Sequence, residues 1–142
     1  MCSIKYGAIA IALNLLSTIA VADVKIAPQE IPGSTKVDAE GVIKLVEVIQ
    51  NLLIVDARIR MDRRQGYLEG SISLPDVETD CDSLARIIPT KSSPVLFYCN
   101  GPKCGRSGKS VNKAVNCGYT KVFWFRGGLE EWKLKGYPYL RK

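Results

Sequence analysis

The chain contains no histidine. Without an imidazole there is no Ser–His–Asp or Cys–His catalytic unit, no His-x-x-x-His zinc site and no His-based proton shuttle. A nucleophile in this protein has to become reactive by lowering its own pKa. Any metal site would have to be built from cysteine and carboxylates alone. Aromatic residues are sparse at 8%. The basic residues are scattered rather than set in a stripe that alternates with aromatics, so nucleic-acid binding is not expected. Repeats and low-complexity tracts are also missing. At 142 residues the chain has the length of one domain, which usually runs roughly 100–200 residues.

The amino end has the make-up of a secretory signal. Lys5 is the only charge before Asp23, and Ala8 to Leu16 is almost continuously apolar. Ala20-Val21-Ala22 supplies small residues at the two positions a signal peptidase reads. The uncharged stretch from Tyr6 to Ala22 is shorter than the roughly 20 residues that span a bilayer comfortably. Residues 1–22 are therefore expected to be a signal peptide cleaved after Ala22. The mature chain is then periplasmic or secreted, with no stable membrane insertion. It keeps 19 Lys and Arg against 14 Asp and Glu, a balance of +5, which suits small anionic ligands.

Four cysteines remain after cleavage: Cys81, Cys99, Cys104 and Cys117. In an oxidising compartment an even count invites disulfides, with three possible pairings. Yet a chain of this size can bury a core without staples. Cys81, ahead of a helix, and Cys117, at a helix end before Gly118, read as small buried residues rather than functional thiols.

Along the mature chain, residues 23–36 hold two prolines and little periodicity, and read as a linker or a short edge strand. Val42, Leu45, Val46 and Ile49 have helical spacing, with Asp38 as the N-cap. Leu52 to Val55 and Pro94 to Tyr98 are short apolar runs of the kind buried on both faces of a sheet. Ser71 to Leu74 and Lys121 to Phe125 are further strands. Helices are expected over Asp80 to Ile88, Arg106 to Asn116 and Gly128 to Lys135. Such alternation predicts an α/β fold with a parallel sheet covered on both faces. Ligands in these folds bind at the carboxyl ends of strands, which directs attention to the residues after Tyr98.

There the sequence reads Cys99-Asn100-Gly101-Pro102-Lys103-Cys104-Gly105-Arg106-Ser107-Gly108-Lys109-Ser110. A glycine-rich loop running into a helix can turn backbone N–H groups inward as an anion cradle. The same field favours a thiolate without any neighbouring base. Cys99 is the candidate nucleophile. Asn100, Gly101, Lys103, Gly105, Arg106 and Ser107 are the candidate substrate-binding residues. Gly108-Lys109-Ser110 has the ending of a nucleotide-binding loop, but Lys103 stands where its first glycine is needed. Cys99 and Arg106 are separated by six residues, one more than a cysteine phosphatase uses. Four residues between Cys99 and Cys104 are two too many for a thioredoxin-type dithiol. The spacing of the four thiols lacks the paired knuckles of common zinc folds.

Four segments in order, from about Val37 onward, resemble the rhodanese family of sulfurtransferases. Leu53 to Arg58 is similar to its first central strand with an Asp-x-Arg ending. Gly66 to Ile72 is similar to its Gly-His-Ile-x-Gly-Ala segment, with Tyr67 where histidine is usual. Tyr98 to Ser107 is similar to its active-site loop, and Gly118 to Trp132 to its closing strand, Gly-Gly turn and Trp helix. The resemblance implies a single rhodanese-like domain over residues 37–142, with about five parallel strands and helices on both faces. It also implies transfer of sulfane sulfur from thiosulfate or a persulfide donor, through a Cys99 persulfide, to cyanide, a thiol or a relay partner's cysteine. Arg106 and Lys103 would orient the sulfonate, the Ser107 hydroxyl would hold the sulfur, and no metal or organic cofactor would be required. The usual loop places Arg-Ser five and six residues after the nucleophile; here they lie seven and eight after Cys99. Counting from Cys104 puts Lys109 and Ser110 at five and six. The two added residues admit Cys104, a possible resolving or protecting thiol. Two other readings stand beside this one. The domain could be a non-enzymatic sulfur carrier or partner-binding module, or a cysteine-based phosphatase or oxyanion reductase.

Overall fold

The computed structural model describes residues 26–142, so the leader expected over residues 1–22 lies outside the described residues. Five parallel strands form one sheet: β1 (Ser34–Val37), β2 (Leu53–Asp56), β3 (Ile72–Ser73), β4 (Val95–Tyr98) and β5 (Val122–Phe125), in the order β1-β5-β4-β2-β3. The mostly polar β1 and the two-residue β3 take the edges, and the three apolar runs fill the centre. Side chains of the central strands alternate between two cores, as the period of two demands. Val95, Phe97, Val122, Trp124 and Val55 face one core. Leu96, Tyr98, Phe125 and Ile54 face the other.

Helices cover both faces. Helices α1 (Ala39–Val48) and α5 (Gly128–Leu134) close one side through Ala39, Val42 and Leu129. On the other, α3 (Cys81–Ile87) and α4 (Arg106–Asn116) contribute Leu84, Val111 and Ala114. The starts of α1 and α3 follow from their caps. Asp38 Oδ1 accepts the Gly41 N–H at 2.8 Å. Asp80 and Ser83 form a reciprocal capping box, with bonds of 2.7 and 2.8 Å. Two short elements have no counterpart in the sequence reading: α2 (Arg60–Arg63) and a 3-10 turn (Asp76–Glu78). Both elements are too short to show a periodicity.

One expectation needs correction, and another gains detail. Cys81 and Cys117 are not small buried residues; they form a disulfide with Cα atoms 5.5 Å apart. Cys81 is exposed and Cys117 half-buried. Because α3 and α4 pack side by side on one face, the first residue of α3 meets the cap residue of α4. The stretch expected as linker or edge strand is more than a tether. Its last residues form edge strand β1, while Ala27 and Ile31 are buried in the core. The Ala27 N–H donates to the Pro102 carbonyl at 2.8 Å, so this stretch is attached directly to the loop after Cys99.

Candidate active site

Strand β4 is the most deeply buried strand, and it delivers Cys99 at its carboxyl end, 1% exposed. The beginning of α5 grips the following turn. Leu129 N–H donates to the Cys99 carbonyl at 3.0 Å, and Glu130 N–H to the Asn100 carbonyl at 2.7 Å. The approach is so close that a Cβ on Gly128 would run into the Cys99 carbonyl oxygen, and Gly128 adopts a positive φ of 58°. Only glycine meets both demands at no cost. The Gly127-Gly128 turn therefore fixes the height at which the loop leaves the sheet.

Beneath the loop lies a buried ionic platform. Arg58 and Asp56 form a two-pronged pair, Nε to Oδ1 at 2.8 Å and Nη2 to Oδ2 at 2.6 Å, with both side chains 1% exposed. The Tyr98 hydroxyl donates to Asp56 Oδ2 at 2.8 Å, and Arg63 reaches the same oxygen at 3.1 Å. Burial, reinforced by the Asp56 charge, pushes the Tyr98 phenol up to about 12. Burial alone would lower Arg58, but its hydrogen bonds to Asp56 and the carboxylate's charge outweigh it and leave the guanidinium raised. From this platform Arg58 Nη1 donates to Asn100 Oδ1 at 3.1 Å, and Asn100 Nδ2 donates to Asp62 at 3.2 Å.

The loop's side chains are thus used differently from one another. Asn100 orients the chain by its side chain. Lys103 is exposed on the wall of a groove of about 630 Å³, with Cys104, Gly105, Arg106 and Glu130 also on that wall. Arg106 is braced by Asp62 at 3.4 Å and Asp76 at 3.8 Å, so much of its charge is already met. The Glu130 carboxylate lies against Gly101, and a Cβ there would require that side chain to swing aside. Ser107 is 1% exposed, and its hydroxyl accepts the Trp124 indole N–H at 3.0 Å. Accepting that bond leaves the hydroxyl its own proton to donate, so the contact with sulfur expected of Ser107 stays open to it.

The backbone keeps its donors free. Among the described residues, none of the N–H groups of Asn100, Gly101, Lys103, Gly105, Arg106 and Ser107 donates to a backbone carbonyl. Only Cys104 N–H turns inward on the loop, to Gly101 O at 2.9 Å. Cys99 and Cys104 are joined as a disulfide, their Cα atoms 6.3 Å apart. Lys109 and Ser110, the alternative register, lie within α4. Lys109 is exposed and 3.8 Å from Asp76, and Ser110 is buried against Thr79.

Sequence reasoning did not identify the groove wall formed by Ile26, Ala27 and Pro28, or the clamp on Asn100 from Arg58 and Asp62. The wall comes from residues nearly eighty positions away with no motif. The clamp had one visible trace, the Asp-x-Arg ending of β2.

The comparisons follow this geometry. Residues 29–135 match the rhodanese-like domain family. Over 93 residues the chain is 28% identical to the uncharacterized protein YibN of Escherichia coli K12, covering 65% of this chain and 63% of YibN, so it spans less than two thirds of that relative. The BH2092 protein of Bacillus halodurans superposes with a TM-score of 0.66 at 23% identity, over 75% of this chain and 77% of its own. A thiosulfate sulfurtransferase from Pseudomonas aeruginosa gives 0.63 at 23% identity, over 76% of this chain and 20% of its own. Those likenesses show a shared fold. With its five-strand parallel sheet, its cysteine at the end of the central strand and a family match over most of its length, the chain belongs to the rhodanese-like domain family.

Proposed function

We propose that the domain is a sulfurtransferase that carries sulfane sulfur as a persulfide on Cys99. The observation that carries this reading is the buried Cys99 at the end of β4, followed by a loop in which the N–H groups of Asn100, Gly101, Lys103, Gly105, Arg106 and Ser107 have no backbone acceptor among the described residues. Unpaired amides at the end of a parallel strand favour an anion. They lower a thiol's pKa and favour the negative terminal sulfur of a persulfide, in a molecule that has no histidine to act as base.

The reduced protein is the working form. Cys99 thiolate attacks the outer sulfur of thiosulfate; the sulfur–sulfur bond of the donor breaks, and sulfite leaves with the electron pair. The persulfide then passes its outer sulfur to cyanide, a thiol or a partner's cysteine. Lys103, exposed on the groove wall, supplies long-range attraction for the dianion, with Arg106 contributing what charge Asp62 and Asp76 leave. An oxidising compartment, periplasmic or extracellular, is part of the proposal. The Cys81–Cys117 bond supports it, since structural disulfides persist chiefly in such compartments.

The test is thiocyanate formation from thiosulfate and cyanide after reduction with dithiothreitol. Wild type is expected to turn over, and Cys99→Ser to form none. Equal turnover by both proteins would refute the assignment.

A further inference from the structure

The bond between Cys99 and Cys104 gives the loop a second chemistry. We propose that the domain also acts as a two-thiol sulfur reductase. Cys104 expels the sulfur held on Cys99 as hydrosulfide, and a dithiol then reopens the Cys99–Cys104 bond by attacking Cys104 from the groove. This inference rests on the Cys99 persulfide proposed above.

The loop as folded already brings Cys104 Sγ to bonding distance of Cys99 Sγ, the atom it would have to attack. In the step itself Cys104 thiolate attacks Cys99 Sγ, and the bond to the outer sulfur breaks. That sulfur leaves with the electron pair as hydrosulfide, carrying the proton that Cys104 gives up. Two cysteine sulfurs are oxidised by two electrons in all, and the sulfane sulfur is reduced by two. Sulfite from the first step and hydrosulfide from the second account for all of the thiosulfate.

The two sulfurs are unequally accessible. Cys99 is 1% exposed and does not line the groove, whereas Cys104 is half-buried on its wall. In thiol–disulfide exchange the reachable sulfur is attacked, and the sulfur with the lower thiol pKa leaves more readily. Both preferences act in the same direction here. An incoming thiolate bonds to Cys104, and Cys99 departs as a thiolate beside the unpaired amides. A dithiol completes the reduction by closing on itself, while a monothiol stops at the mixed disulfide. The groove, lined by Ile26, Pro28 and Lys103 as well as Cys104, leaves that half-buried sulfur open to such a reductant.

The experiment uses protein reduced with dithiothreitol, stripped of reductant and exposed to thiosulfate without oxygen. Sulfite and sulfide are measured, and peptide mapping follows the thiols, keeping the Cys81–Cys117 pair out of the count. Wild type is expected to release sulfite and sulfide in equal amounts and to finish with Cys99 bonded to Cys104. Cys104→Ser is expected to release sulfite without sulfide and to retain the added sulfur on Cys99. If wild type also retains the sulfur and releases no sulfide, the reductase inference is overturned and the persulfide reading stands. Absence of sulfite from both proteins would overturn the two together. A second arm needs no sulfur donor: oxidised wild type treated with limiting glutathione should carry the adduct on Cys104. An adduct on Cys99 would overturn the direction of attack.

Discussion

Arg58 links the core to the loop: its Nε and Nη2 hold the buried Asp56 carboxylate, while Nη1 reaches the Asn100 side-chain oxygen at 3.1 Å. The loop after β4 is therefore anchored to a charge pair that cannot shift without exposing a buried ion. On the opposite side, the Gly128 turn and the N–H groups of Leu129 and Glu130 hold the Cys99 and Asn100 carbonyls. A chain pinned at both sides keeps its amides unpaired at little reorganisation cost when charge arrives.

Replacing Arg58 with methionine removes one partner of the buried pair and strands Asp56. The expected loss is about 3–5 kcal/mol of folding stability, read by urea unfolding. Asn100→Ala leaves the pair intact and frees only the loop. Its stability should change by no more than about 1–2 kcal/mol, while the first release of sulfite slows by roughly ten- to a hundredfold. Equal effects on both readouts would mean that Asn100 serves folding alone.

Tyr98 makes the fold sensitive to alkali. Its phenol titrates near the ordinary value of 10.0 in the unfolded chain and at about 12 in the folded one. Between those limits the unfolded state has lost a proton that the native state keeps, so stability falls as pH rises. The fall should total about 2–3 kcal/mol across that window, with no contribution below it. Tyr98→Phe is expected to be less stable near neutrality, having lost the hydrogen bond to Asp56, and to show a shallower decline above pH 10. Parallel declines in the two proteins would contradict the assignment.

The Cys81–Cys117 bond closes a sequence separation of 36 residues, for which the chain-entropy account gives roughly 4 kcal/mol. The double variant Cys81→Ala, Cys117→Ala is expected to lose about 2–4 kcal/mol by urea unfolding. After reduction it should still accept sulfur on Cys99, because the bond lies on α3 and α4, away from the Cys99 turn.

Gly128→Ala places a methyl group against the Cys99 carbonyl at a positive φ. It should cost about 1–3 kcal/mol and reduce thiocyanate formation by more than its effect on folded fraction explains. Gly136→Ala, also at a positive φ but with open space around it, provides the control for backbone strain alone.

The central strands were legible in the sequence because β4 and β5 are nearly continuous apolar runs between polar or glycine breaks, and the helix starts at Asp38 and Asp80 because their caps are local. The loop was legible as a site from Cys99, its glycines and the helix after it. What stayed hidden depends on contacts between distant residues. No local pattern pairs Cys81 with Cys117, or places Ala27 on the Pro102 carbonyl. The burial of Ser107 against the Trp124 indole was also hidden, because Trp124 lies seventeen positions on. Arg106 looked like an unopposed cation because Asp62 and Asp76 come from other connections.

The most direct test of the persulfide on Cys99 is the intact mass of Cys104→Ser, reduced and then treated with thiosulfate, followed by peptide mapping. Removing the second thiol keeps any acquired sulfur in place. The account predicts a gain of one sulfur atom, located on Cys99 and abolished in Cys99→Ser, Cys104→Ser. A gain located on any other residue, or no gain from thiosulfate, would contradict it.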